Sequence, residues 1–405
     1  MSETGRLLGG YADGLPPRAV TLGGGHGLSA TLAALRFVTT EITAVVTVAD
    51  DGGSSGRIRR ELPVIPPGDL RMALAALAGD DPWGHLWENL LQHRFGGTGA
   101  LAGHPVGNLV LTGLMDLTGD TVASLDAVAR MVGAVGRVLP MSCVPLEILA
   151  EVTGIGDDPA AQHRIRGQVA VAATPGQVQS VSLVPQDPPP CPQAVEAVRA
   201  ADVVLLGPGS WFTSVLPHLL VPELRRALVE SDALRIVVLN LAPQPGETEG
   251  FTAQTHLDVL HDHAPDLPID VVVADPATLS DPGGLATAVR RLGGRLVLRP
   301  VGMADGSPRH DPLRLAEAIA AAIEGRLDDA PDHGTQAENP STVGQNYSVP
   351  GLAPDARTRK DRVFNGDPGA SYPARYDADR SRGGTARGGA QGERSGNSDG
   401  SGGRL

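Results

Sequence analysis

The chain has 405 residues, of which 41% are hydrophobic, and its formal net charge at pH 7 is −13. This length and apolar content are sufficient for one large or two modest hydrophobic cores. The acidic balance disfavours nucleic acid as a partner, and an aromatic content of 3% leaves few side chains that could stack on single-stranded bases.

Rare residue types exclude further classes of protein. The only two cysteines, Cys143 and Cys191, form no C-x-x-C motif, so we expect neither a disulfide framework nor a zinc site, and a reducing compartment fits best. Lys360 is the only lysine, which removes Walker-lysine and Schiff-base chemistry from the rest of the chain. No signal-peptide pattern and no uncharged apolar run of about 18 residues is present, so the sequence predicts a cytoplasmic protein without membrane insertion.

Short apolar segments alternate with helical ones along the chain. Five segments are typical of a buried parallel strand that ends in a turn: residues 18–25, 42–48, 201–210, 234–244 and 269–276. A mainly helical insertion at about 69–135 is predicted to pack over the sheet as a cap. The pattern favours an α/β fold with a doubly wound, Rossmann-like, mostly parallel sheet.

Composition sets the expected boundaries. Residues 1–17 are predicted to be a flexible N-terminus, 18–330 one ligand-binding domain, and 331–405 a disordered tail rich in Gly, Ser, Asp, Arg and Pro. The tail is either a solubilising extension or a docking or phosphorylation segment. The proline-rich residues 185–192 are expected to be an irregular surface connection.

The first strand ends in a glycine-rich turn, because four of the five residues 23–27 are glycine. Without a Cβ, the backbone N–H groups can approach an anion at the start of the helix predicted over 28–36. Leu28 occupies the position of the third glycine of G-x-G-x-x-G, so this is not the dinucleotide fingerprint. We favour phosphate or ribose contact over a tight turn without a ligand.

Two aspartates, Asp50 and Asp51, follow the second strand and precede what we expect to be a flexible Gly-Gly-Ser-Ser-Gly loop. They come about 25 residues after the glycine turn, near the place of the ribose-binding acid in dinucleotide folds. The pair suits hydroxyl recognition or a Mg²⁺ contact. A solvated turn is the alternative.

The helical insertion carries further polar candidates. Asp69 is predicted to be a helix N-cap, and Arg71 lies in the first turn, where a cation opposes the helix dipole and indicates either an anionic partner or only a surface position. Asn108 is expected to be the N-cap of a later helix. His104 is interpreted as a hydrogen-bonded structural residue.

A second glycine turn follows the strand at 201–206. Its hydroxyl groups, on Ser210, Thr213 and Ser214, can bind a second phosphate or a base edge. The next strand leads to Asn240, and polar residues follow it. Two glycine turns at one edge of a sheet predict a ligand that bridges the crevice where the strand order reverses.

The segments GGGHGLS, VTVADDGGSSGR, PPGDLR, HPVGNL, LGPGSWFTSVLP and QPGET, in this order and spacing, resemble the gluconeogenesis-factor family of bacterial UDP-sugar-binding regulators. The resemblance covers residues 18–300. The same motifs belong to a superfamily shared with 2-phospho-L-lactate transferase, which acts in the assembly of a deazaflavin coenzyme.

The resemblance implies a Rossmann-like protein that binds UDP-N-acetylglucosamine and supports cell-wall and cell-shape maintenance on gluconeogenic carbon sources. It implies no secure reaction, and it makes the tail serines candidate substrates of a Ser/Thr kinase. Self-association is left open. The residues predicted to bind the ligand are Gly23, Gly24, Gly25, Gly27, Leu28, Ser29, Asp50, Asp51, Gly53, Ser54, Ser55, Asp69, Arg71, Asn108, Gly207, Pro208, Gly209, Ser210, Thr213, Ser214, Asn240, Gln244 and Glu247.

Two other functions compete with a UDP-sugar sensor. In the first, Asp50 and Asp51 hold Mg²⁺ for a transferase that moves a phospholactyl group from a nucleotide to a deazaflavin. The second, a dinucleotide-dependent oxidoreductase, is disfavoured by the broken glycine fingerprint. We predict no catalytic residue and no required cofactor, because the sequence contains no defensible Ser-His-Asp set, G-x-S-x-G or H-E-x-x-H motif.

Overall fold

The computed structural model describes residues 16–156, 158, 160–244 and 246–325. The predictions for residues 1–15 of the N-terminus and for the tail at 331–405 lie outside these residues.

The strands are β1 Ala19–Gly23, β2 Ile42–Val46, β3 Arg137–Pro140, β4 Glu147–Thr153, β5 His163–Arg166, β6 Gln177–Val184, β7 Val203–Leu206, β8 Leu234–Val238, β9 Val271–Ala274 and β10 Arg295–Leu298. The α-helices are α1 Gly25–Leu35, α2 Gly53–Glu61, α3 Pro67–Ala76, α4 Pro82–Gln92, α5 Val106–Thr118, α6 Thr121–Met131, α7 Gln168–Ala172, α8 Pro192–Ala200, α9 Pro222–Glu230, α10 Ala253–His263, α11 Pro282–Arg291 and α12 Pro312–Glu324.

Seven strands form one sheet in the order β10-β9-β8-β7-β1-β2-β3, and every neighbouring pair is parallel. The strands are almost continuously apolar, because helices cover both faces and leave no face for water. From β1 the chain builds outward to β3, returns to β7 beside β1, and builds the other way. The strand order therefore reverses between β1 and β7, and the predicted doubly wound fold is confirmed.

The predicted helical insertion forms α3, α4, α5 and α6, between β2 and β3. Helix α3 packs against β2, β3 and α1, so this region supplies the β2-to-β3 crossover and also carries an outer layer of helices. Two helix-cap predictions are wrong: the N-caps of α3 and α5 are Pro66 and Pro105. Asp69 and Asn108 lie inside the first turns instead. Proline suits these positions because its missing N–H is not needed there.

The loop expected after Asp51 is also different, because residues from Gly53 onward form α2. Gly53 takes a φ of +47°, which starts the helix from a left-handed conformation. Ser54 and Ser55, which were expected in a loop, are buried residues of α2.

A separate antiparallel sheet of order β5-β4-β6, which the sequence did not predict, lies between β3 and α8. Strand β4 alternates strictly between buried and half-buried residues, and β5 is mostly exposed. One face of this sheet therefore packs on the core while the other faces water. The short α7 connects β5 to β6.

A core substitution tests this architecture. Leu205 in β7 is fully buried, and Leu205→Ala should lower the free energy of unfolding by about 2–5 kcal/mol, because it removes packed methyl groups and leaves a cavity. Leu117→Ala is the matched control, since Leu117 is 82% exposed and should change stability by less than about 0.5 kcal/mol. Urea denaturation followed by circular dichroism measures both, and equal stabilities of the two variants would contradict the placement of β7.

Candidate functional site

The two glycine turns meet at the carboxyl ends of β1 and β7. A Cβ placed on Gly27 would lie only 2.1 Å from the carbonyl oxygen of Pro208 and 2.7 Å from Gly209 Cα. The backbones of the two turns are therefore in direct contact, which only glycine at position 27 allows. Helix α1 begins at Gly25, so its first N–H groups point toward this junction.

The second turn is held in place by Asn240, at the end of β8. The Asn240 Nδ2 group donates to the Gly209 carbonyl, and the Gly209 N–H donates to Asn240 Oδ1, both at 2.8 Å. The side-chain amide of Asn240 thus holds both backbone polar groups of Gly209, its N–H and its carbonyl. Asn240 lines the cavity as predicted from the sequence, but both of these side-chain hydrogen bonds are made to the Gly209 turn.

A carboxyl group lies against the first turn. A Cβ on Gly24 would be 2.4 Å from Asp69 Oδ2, so Asp69 reaches the rim from α3. Desolvation, together with repulsion from Asp50, raises the pKa of Asp69 to about 7, although a hydrogen bond from the Gly25 amide and the charge of Arg71 act in the opposite direction. Asp69 is therefore part of the same local structure as the glycines.

Asp50 and Asp51 have different surroundings. Desolvation raises the pKa of Asp50, which accepts hydrogen bonds from the Gly52 amide at 2.8 Å and from Ser55. The carboxylate of Asp51 points to the second sheet, where it accepts from the amide of Val169 in α7 at 3.0 Å. The charge of Asp51 also raises the pKa of Asp50, and Asp50 in turn raises the pKa of Asp69, a coupling that the sequence spacing did not indicate.

Behind the second turn lies a buried hydroxyl–carboxylate cluster. Ser210 Oγ donates to Glu247 at 2.6 Å and Thr213 Oγ1 donates to the same carboxylate at 2.9 Å, while Gln168 Nε2 donates to Thr213 at 3.3 Å. Burial raises the pKa of Glu247, opposed by these hydroxyl donors. Because the hydroxyl protons are directed at Glu247, an anion at this turn must be bound chiefly by backbone amides.

These elements surround one cavity of about 840 Å³. Its lining combines ten residues that the sequence predicted with eleven that it did not. The predicted residues are Gly24, Gly25, Gly27, Asp69, Pro208, Gly209, Ser210, Ser214, Asn240 and Gln244. The others are His26, Ala30, Gln168, Leu241, Ala242, Pro243, Met303, Pro308, Arg309, His310 and Pro312.

The far wall of the cavity is the segment between β10 and α12. Asp275, at the end of β9, accepts hydrogen bonds from the amides of Val301 and Gly302 at 2.8 and 2.9 Å and so fixes the start of this segment. Arg309 then reaches the cavity, and its guanidinium is paired with Asp305 at 3.2 Å. An acid after β9 and an arginine before a helix start were the available signals in the sequence.

Several predicted residues form a separate network beside the cavity. Asn108 Nδ2 donates to Ser54 Oγ at 2.9 Å, and Ser54 Oγ lies 2.7 Å from His104 Nδ1, so His104 is hydrogen-bonded, as expected. Arg71 is buried next to them. Desolvation and the charge of Arg94 lower the pKa of Arg71 to about 10. Within the described part of the chain, Arg71 Nε and Asn108 Oδ1 have no hydrogen-bond partner.

The remaining predicted residues support the site from outside the cavity lining. Gly23 ends β1, Gly207 directly follows β7, and Leu28 packs in the core against Gly23. The Ser29 hydroxyl donates within its own helix to the Gly25 carbonyl at 3.0 Å. Ser55 accepts the Gly68 amide at 3.1 Å and thereby joins the starts of α2 and α3.

Two further properties follow from the described residues alone. They contain no group of three or more His, Cys, Asp or Glu side chains arranged to hold a metal ion. None of their helices is both long and apolar enough to cross a membrane.

The fold and the site define a class of α/β protein that relatives share. A family model described as 2-phospho-L-lactate transferase CofD matches residues 19–285. A Mycobacterium leprae protein, named a candidate gluconeogenesis factor, is 53% identical over 319 residues, which cover 78% of this chain and 88% of the relative. The gluconeogenesis factor of Bacillus subtilis is 37% identical over 268 residues, covering 66% and 81%.

A solved structure agrees with these sequence matches. The crystal structure of a UPF0052-family protein from Bacillus halodurans is similar with a TM-score of 0.66 at 35% identity, and the match covers 74% of this chain and 97% of that protein. The chain belongs to the gluconeogenesis-factor family, within the superfamily of 2-phospho-L-lactate transferase. The family predicted from the motifs is confirmed.

The contact between the turns yields a prediction. Gly27→Ala should destabilise the fold by about 1–3 kcal/mol or displace the second turn, because its Cβ overlaps the Pro208 carbonyl. Gly113→Ala is the control, since a Cβ at this helical position meets open space and should leave stability unchanged or raise it by about 0.5–1 kcal/mol. Thermal unfolding of both variants provides the measurement, and an unperturbed Gly27→Ala protein would contradict the contact.

Asp69 yields a pH prediction. Its folded-state pKa of about 7 lies above the ordinary 3.8, so between these values the folded state holds a proton that the unfolded state has lost. The contribution of Asp69 to stability should therefore fall as pH rises from 4 to 7, by roughly 1 kcal/mol per pH unit in the middle of that range. In Asp69→Asn this slope should be reduced.

The measurement is urea denaturation at pH 5 and pH 7 of the wild-type protein and of two variants. Asp116→Asn, at an exposed position on α5, is the control and should keep the wild-type slope. An Asp69→Asn protein with the same pH dependence as the wild type would show that Asp69 is not the group that titrates.

Proposed function

We propose that the chain is a sensor for a UDP-sugar, with UDP-N-acetylglucosamine as the expected ligand. The observation that carries this proposal is the meeting of two glycine turns, from β1 and β7, over a cavity of about 840 Å³ at the point where the strand order reverses. Crevices at this point of a doubly wound sheet are the usual ligand sites of such folds, and small-molecule sites occupy about 300–1,000 Å³.

The diphosphate is assigned to the junction of the two turns. Gly24, the N-cap of α1, has no side chain to occupy the helix N–H groups, and the first turn of α1 contains no acidic residue. The Gly25 N–H donates to Asp69, and the helix dipole together with the following N–H groups of the first turn favours an anion there. The Gly209 turn, clamped by Asn240, presents a second rigid backbone surface to the same volume.

Arg309 supports an anionic ligand from the opposite wall. It is the one cationic Lys or Arg side chain among the residues that line the described cavity, in a protein whose net charge is −13. A guanidinium can bind a phosphate in a two-point geometry. Leu241, Ala242 and Pro243 give the adjacent wall an apolar surface, suited to a nucleoside or the face of a sugar ring.

A sensor must also change when its ligand binds. Gln168, at the start of α7, lines the cavity and donates to Thr213 of the hydroxyl–carboxylate cluster. Through Asp51 and Val169, α7 also contacts the loop after β2. We infer that ligand contact at the Ser210 turn is passed to the three-stranded sheet through α7.

The biological role follows the family. We propose a cytoplasmic regulator, in line with the relatives named gluconeogenesis factor, that supports cell-wall and shape maintenance during growth on gluconeogenic carbon. Modification of the tail by a Ser/Thr kinase and self-association stay predictions.

Calorimetric titration tests the ligand. Wild-type protein should bind UDP-N-acetylglucosamine, and Arg309→Ala should weaken binding by roughly 10-fold or more, the effect of losing a charge-assisted hydrogen bond. Arg290→Ala, at an exposed position of α11 away from the cavity, is the control and should bind as the wild type does. No heat from folded wild-type protein at millimolar ligand would contradict the proposal.

A transferase is the second candidate, favoured by the match to the 2-phospho-L-lactate transferase family and by two adjacent carboxyls with raised pKa, Asp50 and Asp69. Mg²⁺ is commonly held by one or two carboxylates together with substrate phosphates, and these two residues fit that role. The ion would neutralise charge on a nucleotide-linked phospholactyl donor, while the glycine turns hold the nucleotide.

The discriminating assay supplies a deazaflavin acceptor, the nucleotide-activated phospholactate and Mg²⁺ to the wild-type protein. Formation of phospholactylated deazaflavin at enzyme-like turnover, lost in Asp69→Asn, would favour the transferase. Absence of product from protein that binds UDP-N-acetylglucosamine would favour the sensor.

A further inference from the structure

The three-stranded sheet is connected to the seven-stranded sheet by two chain segments, residues 141–146 and 185–191, which we call the neck. The segments run side by side. The Cys191 N–H donates to the Met141 carbonyl at 3.1 Å, and Ser142 Oγ donates to the Pro189 carbonyl at 2.6 Å. The chain therefore enters and leaves the small sheet through one narrow place, as the irregular proline-rich connection predicted from the sequence allows.

Each segment of the neck carries one of the two cysteines of the chain. Cys143 is exposed and Cys191 is buried, and the hydrogen bonds made by the neighbouring Met141 and Ser142 hold the two residues close to each other. When protonated, the Cys191 thiol donates to Gln193 Oε1 at 3.3 Å. The fold thus brings together two thiols that are remote in sequence, and one of them is open to solvent.

The surroundings place the negative charge of this pair on Cys191 rather than on Cys143. Cys191 is the N-cap of α8, a helix of nine residues. The hydrogen bond from Cys143, the amides of Ala194 and Gln193 and the charge of Arg137 lower the pKa of Cys191 to about 7, against the effect of burial. The interaction with Cys191 and desolvation raise the pKa of Cys143, so the shared proton resides on the exposed Cys143 and has to pass to Cys191 before Cys143 can attack.

We propose that Cys143 and Cys191 are a redox modification site, at which a reversible disulfide closes the neck. The oxidant is a low-molecular-weight disulfide. The Cys143 thiolate, formed when its proton passes to Cys191, attacks one sulfur of the oxidant and releases the first thiolate. That thiolate takes the proton from Cys191, whose sulfur then attacks Cys143 and displaces the second thiolate, which is protonated by water. One protein thiol, one protein thiolate, one external disulfide and one water molecule thus become one protein disulfide, two small thiols and one hydroxide ion.

The disulfide would join the two connections at the base of the small sheet. Helix α7 connects two strands of that sheet and contacts Asp51 and Thr213. A disulfide across the neck would therefore restrict how the small sheet can move relative to the ligand cavity. The modification itself does not depend on the identity of the ligand, so it can be tested without one. The sequence predicted no disulfide framework and a reducing compartment, and both are compatible with a disulfide that forms only under oxidation.

The test uses the folded full-length chain and bis(2-hydroxyethyl) disulfide as the oxidant. Wild-type protein should lose both thiols, decrease in mass by about 2 Da and yield a peptide in which Cys143 is linked to Cys191 under non-reducing conditions. Dithiothreitol should restore both thiols. Oxidation should also raise the unfolding temperature, because the closed loop restricts the unfolded chain.

Two variants separate this pair from ordinary thiol reactivity. Cys191→Ser should keep the exposed Cys143, which then accumulates as a stable mixed disulfide with the small thiol. Cys143→Ser should leave the buried Cys191 unmodified over the same time. The inference is overturned if wild-type protein, shown to be folded by circular dichroism, stops at the mixed disulfide, forms only intermolecular dimers or keeps both thiols.

Discussion

The backbone contact between Gly27 and the Pro208–Gly209 peptide is the constraint on which the rest of the site depends. Strands β1 and β7 are neighbours in the sheet, but their chains turn in opposite directions after it. A side chain at position 27 would push these turns apart. With glycine, the N-terminus of α1 and the clamped Gly209 turn become two walls of one small volume, which neither strand could form alone.

The electrostatics of the site differ from those of the whole molecule. The body is acidic and contains no lysine, since the only one is Lys360 in the tail, so an anionic ligand has to be held by local dipoles and a few arginines. Helix α1, the amides of the Gly209 turn and Arg309 supply these groups. Asp50 and Asp69 lie at the same rim with raised pKa values, which leaves the rim less negative than two ionised carboxylates would make it.

Much of this architecture could be predicted from the sequence because it is local. Apolar runs such as ITAVV and glycines directly after a strand carry their meaning within a few residues. The small antiparallel sheet was missed because strands such as HRIR are short and polar. Arg309 was missed for another reason: its place in the cavity depends on how α12 packs on α1 and on the amides that Asp275 holds, and both are contacts remote in sequence.

The difference between local sequence signals and contacts remote in sequence also explains the wrong predictions for individual residues. Asp69 and Asn108 resemble helix caps by type, but prolines at Pro66 and Pro105 start those helices, and the polar side chains turn inward from the first turn. Asp50 and Asp51 are adjacent in sequence, yet successive side chains point in different directions. Asp50 therefore accepts from the Gly52 amide and Ser55, whereas Asp51 accepts from the amide of Val169. Spacing predicted which edge of the sheet these residues share, and packing decided their partners.

Hydrogen exchange measured by mass spectrometry tests the central claim most directly. On addition of UDP-N-acetylglucosamine, we expect the amides of residues 24–28 and 209–214 to become protected together, because one ligand would bind both turns. The exposed helix α4 should be unaffected. Protection of only one turn, or of neither turn in protein that binds the ligand, would contradict a site formed by their contact.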